Sequence, residues 1–289
     1  MKAAPFEYHR PCSIEEAIRC LATLHDARAL AGGQSLLAMM NFRYVTPAHL
    51  VDLNRIAALA GIEDRGDALR IGAMTRQRDI KASALVRARC PLLADALEWV
   101  GHLQTRNRGT LGGSLTHLDP AAELPGVLMA LDAVLEVRGT QGAREIAIGD
   151  WTLGYMTPAL QAGELLVAIR IPHWPAGHGH GFHELARRHG DFALAGAAAL
   201  VRLEHDVVTR VAIALIGVDD GPLRLTAAEA LLTGQVPATD PIAAAAATAH
   251  DVPGIDDVHA SAAYRRKIAV VMVRRALGDA IARARDGTC

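Results

Sequence analysis

Two glycine-bearing segments are the residues of this chain best suited to chemistry. Ala31-Gly-Gly-Gln-Ser35 follows a short apolar stretch and precedes a helical one. Glycines at such a junction let the backbone come close to a ligand, and successive N–H groups can converge on an anion. The start of the next helix adds further unpaired N–H groups. Ser35 suits a helix cap, a phosphate ligand or both; the plain alternative is a tight strand-to-helix turn capped by Ser35. The second segment, Arg106-Asn-Arg-Gly-Thr-Leu-Gly-Gly-Ser114, is neither G-x-G-x-x-G nor G-x-x-x-x-G-K-[ST]. A turn with Arg106 and Arg108 solvated is again the alternative. Two such segments in one half of a chain point to a nucleotide-sized ligand gripped at two places, and the residues alone stop at a diphosphate-like group.

Other reactive residues carry less. His173, His178, His180 and His183 have spacings that zinc sites use. The Pro and Gly between them give the imidazoles no common frame, so a loop is the preferred reading and no metal is expected. Cys12, Cys20, Cys90 and Cys289 include no C-x-x-C pair. A four-thiolate cluster would need all of them at unsuited spacings, so this chain is expected to hold no cluster. They read as small hydrophobes in a reducing cytoplasm. With 30 Lys+Arg against 31 Asp+Glu, the chain has no net field to attract a polyanion, which argues against nucleic acid as partner. The longest apolar run, Phe192 to Val201, is closed by Asp191 and Arg202 and falls well short of the roughly 18 residues of a membrane span. The N-terminus does not read as a signal peptide.

The elements that must position these residues change character along the 289-residue chain. Phe6 and Tyr8 predict a strand, Ser13-Ile-Glu-Glu16 is a capping box opening a helix through about Leu24, and Arg28 to Ala31 is a strand running into the first glycines. A helix from Ser35, a strand over Leu50–Leu53 and another over Leu69–Gly72 follow. Leu85 to Val100 reads as helix broken at Pro91, Gly109 to Gly113 as a turn, and Asp119-Pro120 as a helix start. Ala133–Val137, Arg144–Ile148 and Leu165–Ile171 read as strands. Pro172 to Gly181 is the expected linker. Beyond it, Phe192–Leu203 and Val207–Val218 predict an antiparallel hairpin, Thr226-Ala-Ala-Glu229 a second capping box, Ala243–Ala249 a packing helix and Ser261–Arg285 a long helix. The expected class is α+β (mixed α/β), divided near residue 178.

Taken together, AGGQSLLAMMNFR (31–43), HLVDLNRI (49–56), IGAMTR (71–76) and RNRGTLGGSLTHLDPAAELP (106–125) resemble the FAD-binding medium subunit of molybdenum hydroxylases, the carbon monoxide dehydrogenase flavoprotein and xanthine dehydrogenase FAD-binding family. LARRHGDFALAGAAA (185–199) and ASAAYRRKIAVVMVRRAL (260–277) resemble that family's second domain, so the likeness runs end to end.

The resemblance implies a two-part FAD-binding domain of the vanillyl-alcohol-oxidase type over 1–177, with sub-parts of about 1–56 and 57–177. A C-terminal α+β domain with antiparallel sheet and helices would occupy 178–289. It implies that Ala31, Gly32, Gly33, Gln34, Ser35 and Leu36, with Thr110, Gly112 and Gly113, wrap the FAD pyrophosphate. Ser114, His117, Asp119 and Glu123 match the segment that runs past the flavin; Asp119 and Glu123 would equally serve to cap and charge a first helical turn. Leu165 or Leu166 would pack near the ring, and His183 stands where some relatives carry a Lys facing the flavin. Arg187 to Asp191 matches an R-R-x-G-D signature that would support the pocket across the domain boundary. No catalytic residue is demanded of this chain, because the cofactor supplies the redox chemistry. The implied role is electron transfer from 2Fe–2S clusters on a small subunit, fed by a molybdopterin-bearing large subunit, through FAD to NAD, a quinone or oxygen, in a dimer of heterotrimers. A free-standing FAD oxidoreductase and a non-catalytic nucleotide-binding assembly protein are the alternatives.

Overall fold

The computed structural model describes residues 2–287, so Cys289 lies outside the described residues. The chain opens with β1 (Glu7–His9), α1 (Ile14–Thr23), β2 (Ala27–Leu30), α2 (Leu36–Asn41) and β3 (His49–Asp52). The three strands are parallel in the order β1-β3-β2. Ser13 Oγ accepts from Glu16 N at 3.1 Å while Glu16 Oε2 accepts from Cys12 N at 2.8 Å, a variant of the capping box in which the amide before the cap is the one satisfied. Ala17 and Ile18 then face Val51, Leu53 and Leu59 in a small core.

A second layer follows: β4 (Ile62–Asp64), β5 (Ala68–Gly72), six short helices, α3 (Gln77–Ala82), α4 (Ala84–Arg89), α5 (Pro91–Ala96), α6 (Leu103–Arg108), α7 (Leu111–His117) and α8 (Glu123–Ala130), then β6 (Val134–Gly139), β7 (Gly142–Ala147), β8 (Thr152–Gly154), β9 (Thr157–Pro158) and β10 (Leu165–Pro172). Its antiparallel sheet runs β4-β5-β10-β6-β7. Pro91 breaks the helical run as expected, sitting in the first turn of α5. Two expectations fail here. Gly109–Gly113 is no free turn: Thr110 caps α7, and Gly112 and Gly113 lie within it. Nor does Asp119-Pro120 start a helix. Leu118 ends α7 at φ +52°, Asp119 Oδ1 accepts from Ala121 N at 2.9 Å, and the Pro120 carbonyl takes the Gly217 amide at 2.8 Å. With that carbonyl committed across the molecule, α8 begins only at Glu123, without a side-chain cap.

The remainder comprises β11 (Gly179–Ala186), β12 (Ala193–Glu204), β13 (Val207–Ile216), β14 (Leu223–Arg224), α9 (Thr226–Leu232), α10 (Thr239–Ala247) and α11 (Ala262–Asp286). The strands form an antiparallel sheet in sequence order. The expected hairpin is β12–β13, its tip made by His205 and Asp206 at φ +52° and +60°, the left-handed pair that matches strand twist. Thr226-x-x-Glu229 does not cap α9; Glu229 Oε1 accepts from Ile213 N at 2.7 Å and pairs with Arg224 instead. The expected linker is shorter than Pro172–Gly181, since Gly179, His180 and Gly181 already belong to β11.

Small residues decide how this last sheet is covered. A Cβ on Gly179 would lie 1.8 Å from Ala280 O, and one on Gly181 2.2 Å from Ala276 O, so α11 rests almost backbone to backbone on β11. The opposite face contributes Phe182, Ala198, Leu200, Ala212 and Ile216 to the same core as Leu69, Leu93 and Leu128 of the second layer. Gly179→Ala is therefore expected to destabilise the fold by roughly 1–3 kcal/mol through overpacking. A urea titration read by circular dichroism checks this, as a lowered midpoint with an unchanged slope.

Candidate cofactor-binding site

The two glycine segments, separated in sequence by a whole helical layer, meet in space. A Cβ on Gly32 would fall 2.4 Å from Arg108 O, and one on Gly113 only 3.6 Å from Ala31 Cβ. Gly112 lies equally tight on β5's exit, its Cβ position 2.8 Å from Ala73 O. Gly33 adopts φ +74°, the left-handed region that favours glycine.

The segments contribute different things. Among the described residues, the backbone N–H groups of Gly33, Gln34 and Ser35 find no acceptor. Ser35 makes no side-chain cap, so its hydroxyl is not spent on α2 and the capped-turn alternative fails. In the second segment Leu111 N donates to Thr75 O at 3.2 Å, Gly112 N to Ala73 O at 2.8 Å and Gly113 N to Thr110 Oγ1 at 3.1 Å. Those amides are satisfied internally. The first segment supplies donors and the second supplies room.

A polar clamp fixes their separation. Asn54 Nδ2 donates to Ala31 O at 3.0 Å, and Arg76 bridges Asn54 Oδ1 to the Arg108 carbonyl. Asp52 holds Asn54 in turn, accepting from Asn54 N at 2.9 Å and from the Tyr8 hydroxyl. Burial, with the Arg108 and Arg78 charges, lowers the Arg76 pKa. Beside the clamp opens a groove of about 490 Å³ lined by Leu53, Asn54, Ile56, Met74 and Arg76. Sequence reasoning missed Asn54 and Arg76 as site residues. Both lie inside the quoted motifs, but their pairing spans 22 residues and no local pattern announces it.

The other predicted positions scatter. Leu36 begins α2 and is half-buried; Ser114 and His117 lie on α7, also half-buried, and burial lowers the His117 pKa. Leu165 is buried in the first core and Leu166 in the second. His183 is paired with Asp279 of α11 at 2.9 Å. It shares that α11-facing side of β11 with Gly179 and Gly181 and points opposite to Glu184. Arg106 is not solvated; it is buried, its guanidinium donating to Val100 O at 2.8 Å and Gly101 O at 3.1 Å. Arg187 and Asp191 pair at 3.1 Å around a turn whose Gly190 Cβ position lies 2.9 Å from Gly101 O. The histidines of 173–183 share no ligand point: His173 pairs with Asp64, His178 with the Pro175 carbonyl and His180 with Asp95.

Two carboxyls behind the α7–α8 corner stand out. Glu123 is 8% exposed, and burial, with the Asp119 charge adding to it, pushes its pKa to about 7. Glu184, 6% exposed, leaves Oε2 without a partner among the described residues. Burial and then the Glu123 charge push its pKa to about 9. A lone Glu in an apolar strand gives no periodic signal, so Glu184 was not legible in the sequence.

The residues fit a flavin dinucleotide at the two segments: a cradle that a Cβ would fill, three free amides and an uncommitted hydroxyl suit a diphosphate without a lysine. Fold and cradle thus define a nucleotide-cofactor class of protein, and comparison with known proteins makes it specific. Residues 4–174 match the family described as FAD binding domain in molybdopterin dehydrogenase, and residues 180–280 match the CO dehydrogenase flavoprotein C-terminal domain. The 6-hydroxypseudooxynicotine dehydrogenase complex subunit alpha of Paenarthrobacter nicotinovorans is 41% identical, over 99% of this chain and 97% of that protein. The carbon monoxide dehydrogenase medium chain of Hydrogenophaga pseudoflava is 39% identical, over 96% and 98%. Among solved structures, carbon monoxide dehydrogenase of the same organism superposes with a TM-score of 0.96 at 40% identity, covering 98% of this chain and 99% of that one. Quinoline 2-oxidoreductase from Pseudomonas putida 86 gives 0.94 at 36% identity, covering 98% and 99%. The chain belongs to this family of FAD-binding medium subunits of molybdenum hydroxylases and is an oxidoreductase subunit.

Gly113→Val is expected to abolish FAD retention by filling the space against Ala31 and displacing the Thr110 cap, whereas His178→Ala retains it. Flavin absorbance per chain after gel filtration checks both. Glu184 gives a pH prediction with a definite sign. A carboxyl raised on folding from 4.5 to about 9 stabilises the fold fully below the lower value, and this contribution is lost as pH rises through that window. Glu184→Gln should flatten the fall in melting temperature between about pH 5 and pH 9 and make the variant the more stable form at the alkaline end.

Proposed function

We propose that this chain stands between the 2Fe–2S clusters of a small partner subunit and an external electron acceptor, in a hydroxylase whose large subunit carries the molybdopterin cofactor. The observation that carries the reading is the meeting of the two glycine segments at one cradle with free amides on one side. Gly33, Gln34, Ser35 and Leu36 bind the FAD diphosphate through backbone N–H groups and the Ser35 hydroxyl. Gly32, Gly112 and Gly113, with Ala31 and Thr110, give it room, and Ser114, His117, Asp119 and Glu123 run on from there toward the flavin. Asn54 and Arg76 keep the cradle at its width. Bound FAD supplies the electron-transfer chemistry, so the chain's own residues need only bind, orient and shield. The FAD-binding domain occupies 1–177 in two sub-parts, and the C-terminal domain 178–289.

A face for the small subunit lies beside the cradle. Leu37 and Phe42 at the ends of α2, with Tyr44 beyond it, are exposed at 42%, 61% and 79%, the Phe42 and Tyr44 rings 6.0 Å apart. Apolar groups grouped on a surface mark an association site. No helix among the described residues is long and apolar enough to cross a membrane.

Purification of the native complex tests the proposal. Iron, acid-labile sulfide, molybdenum and FAD are expected to co-elute with this chain, and Phe42→Glu is expected to release the iron protein while keeping FAD. A chain that elutes alone and oxidises an organic substrate by itself contradicts the subunit role.

A further inference from the structure

A metal-ligating cluster lies outside the flavin cradle, on the edge of the parallel sheet. Strand period places Glu7 and His9 on the same side of β1, and the parallel register sets Glu7 opposite His49 of β3. The three ligand atoms form a closed triangle: His9 Nε2 to His49 Nδ1 is 3.0 Å, Glu7 Oε2 to His49 Nδ1 3.5 Å and Glu7 Oε2 to His9 Nε2 3.9 Å. One point lies about 2.0 Å from all three atoms, which is the length of Zn–N and Zn–O bonds. The imidazoles meet at 50° with centroids 5.1 Å apart, so they converge by their nitrogens and do not stack. Both histidines are half-buried and held by backbone pairing, while Glu7 is exposed, leaving the outer side open to water or a further donor.

We propose that Glu7, His9 and His49 bind one Zn²⁺-class divalent ion, which staples the three-residue edge strand β1 to β3. Two imidazoles and one carboxylate suit zinc and its late first-row neighbours, and do not suit magnesium, which prefers all-oxygen octahedra. Water takes the remaining position. The site is independent of the flavin reading, since none of its residues touches either glycine segment through a hydrogen bond or ion pair.

Titration of the metal-free, FAD-loaded protein with ZnCl₂ tests this by calorimetry, with MgCl₂ as comparison. One zinc per chain is expected, with affinity reduced about tenfold or more in His9→Ala and in His49→Ala. Glu7→Gln should weaken it less, His250→Ala should leave it unchanged, and magnesium should give no heat. Co²⁺ added to the wild type should produce the visible absorption of a nitrogen–oxygen site, and zinc should raise the melting temperature of the wild type but of neither His variant. Equal zinc affinity in the wild type and both His variants, or no binding by the wild type, overturns the proposal. A simple imidazole-to-imidazole hydrogen bond would then account for the 3.0 Å contact.

Discussion

The structure depends on one close approach: the Gly32 backbone set against the Arg108 carbonyl, at a distance that excludes any side chain. Everything around the cradle keeps that approach at its proper width. Asn54 holds the Ala31 carbonyl, Arg76 ties Asn54 to the Arg108 carbonyl, and Asp52 with Tyr8 fixes Asn54 from behind. The clamp runs from the interior to the surface: Asp52 is buried, Arg76 half-buried and Asn54 exposed, and the charge of Arg76 and of Asp52 strengthens the hydrogen bonds they make. The parallel sheet exists in this architecture to deliver Ala31 and Asn54 to one place; the antiparallel sheet delivers Arg76 and the start of α7.

The C-terminal sheet is more than an appendage. Its inner face shares a core with the second layer, and its outer face carries α11, which comes closest where β11 presents Gly179 and Gly181. That arrangement presses Glu184 into the interior near the α7–α8 corner with one oxygen unpartnered. A buried carboxyl costs the fold stability unless it is neutral, so its persistence here sets a pH-dependent term against an otherwise apolar interface.

Much of this was legible in the sequence because local chemistry announces it. The S-x-x-E start of α1, the break at Pro91, the β12–β13 hairpin and the long C-terminal helix follow from capping and periodicity, and the family, the FAD-binding fold and the oxidoreductase role follow from the paired motifs. What failed was set by long-range partners. Gly109–Gly113 reads as a turn until Thr110 is seen capping a helix through it, and Asp119-Pro120 reads as a helix start until Gly217 takes the Pro120 carbonyl. Glu229 resembles a capping residue, yet bonds to the Ile213 amide. In each case the sequence shows the residue type, and the tertiary partner decides its use.

Hydrogen–deuterium exchange of the apo-protein and the FAD-loaded protein, resolved to single residues, distinguishes amides that hold the diphosphate from amides that only make room for it. The Gly33, Gln34 and Ser35 amides have no acceptor among the described residues, whereas those of Leu111, Gly112 and Gly113 are already bonded. FAD binding is expected to slow exchange strongly at 33–35, with a much smaller change at 111–113. FAD binding that leaves residues 33–35 exchanging as fast as before would contradict it.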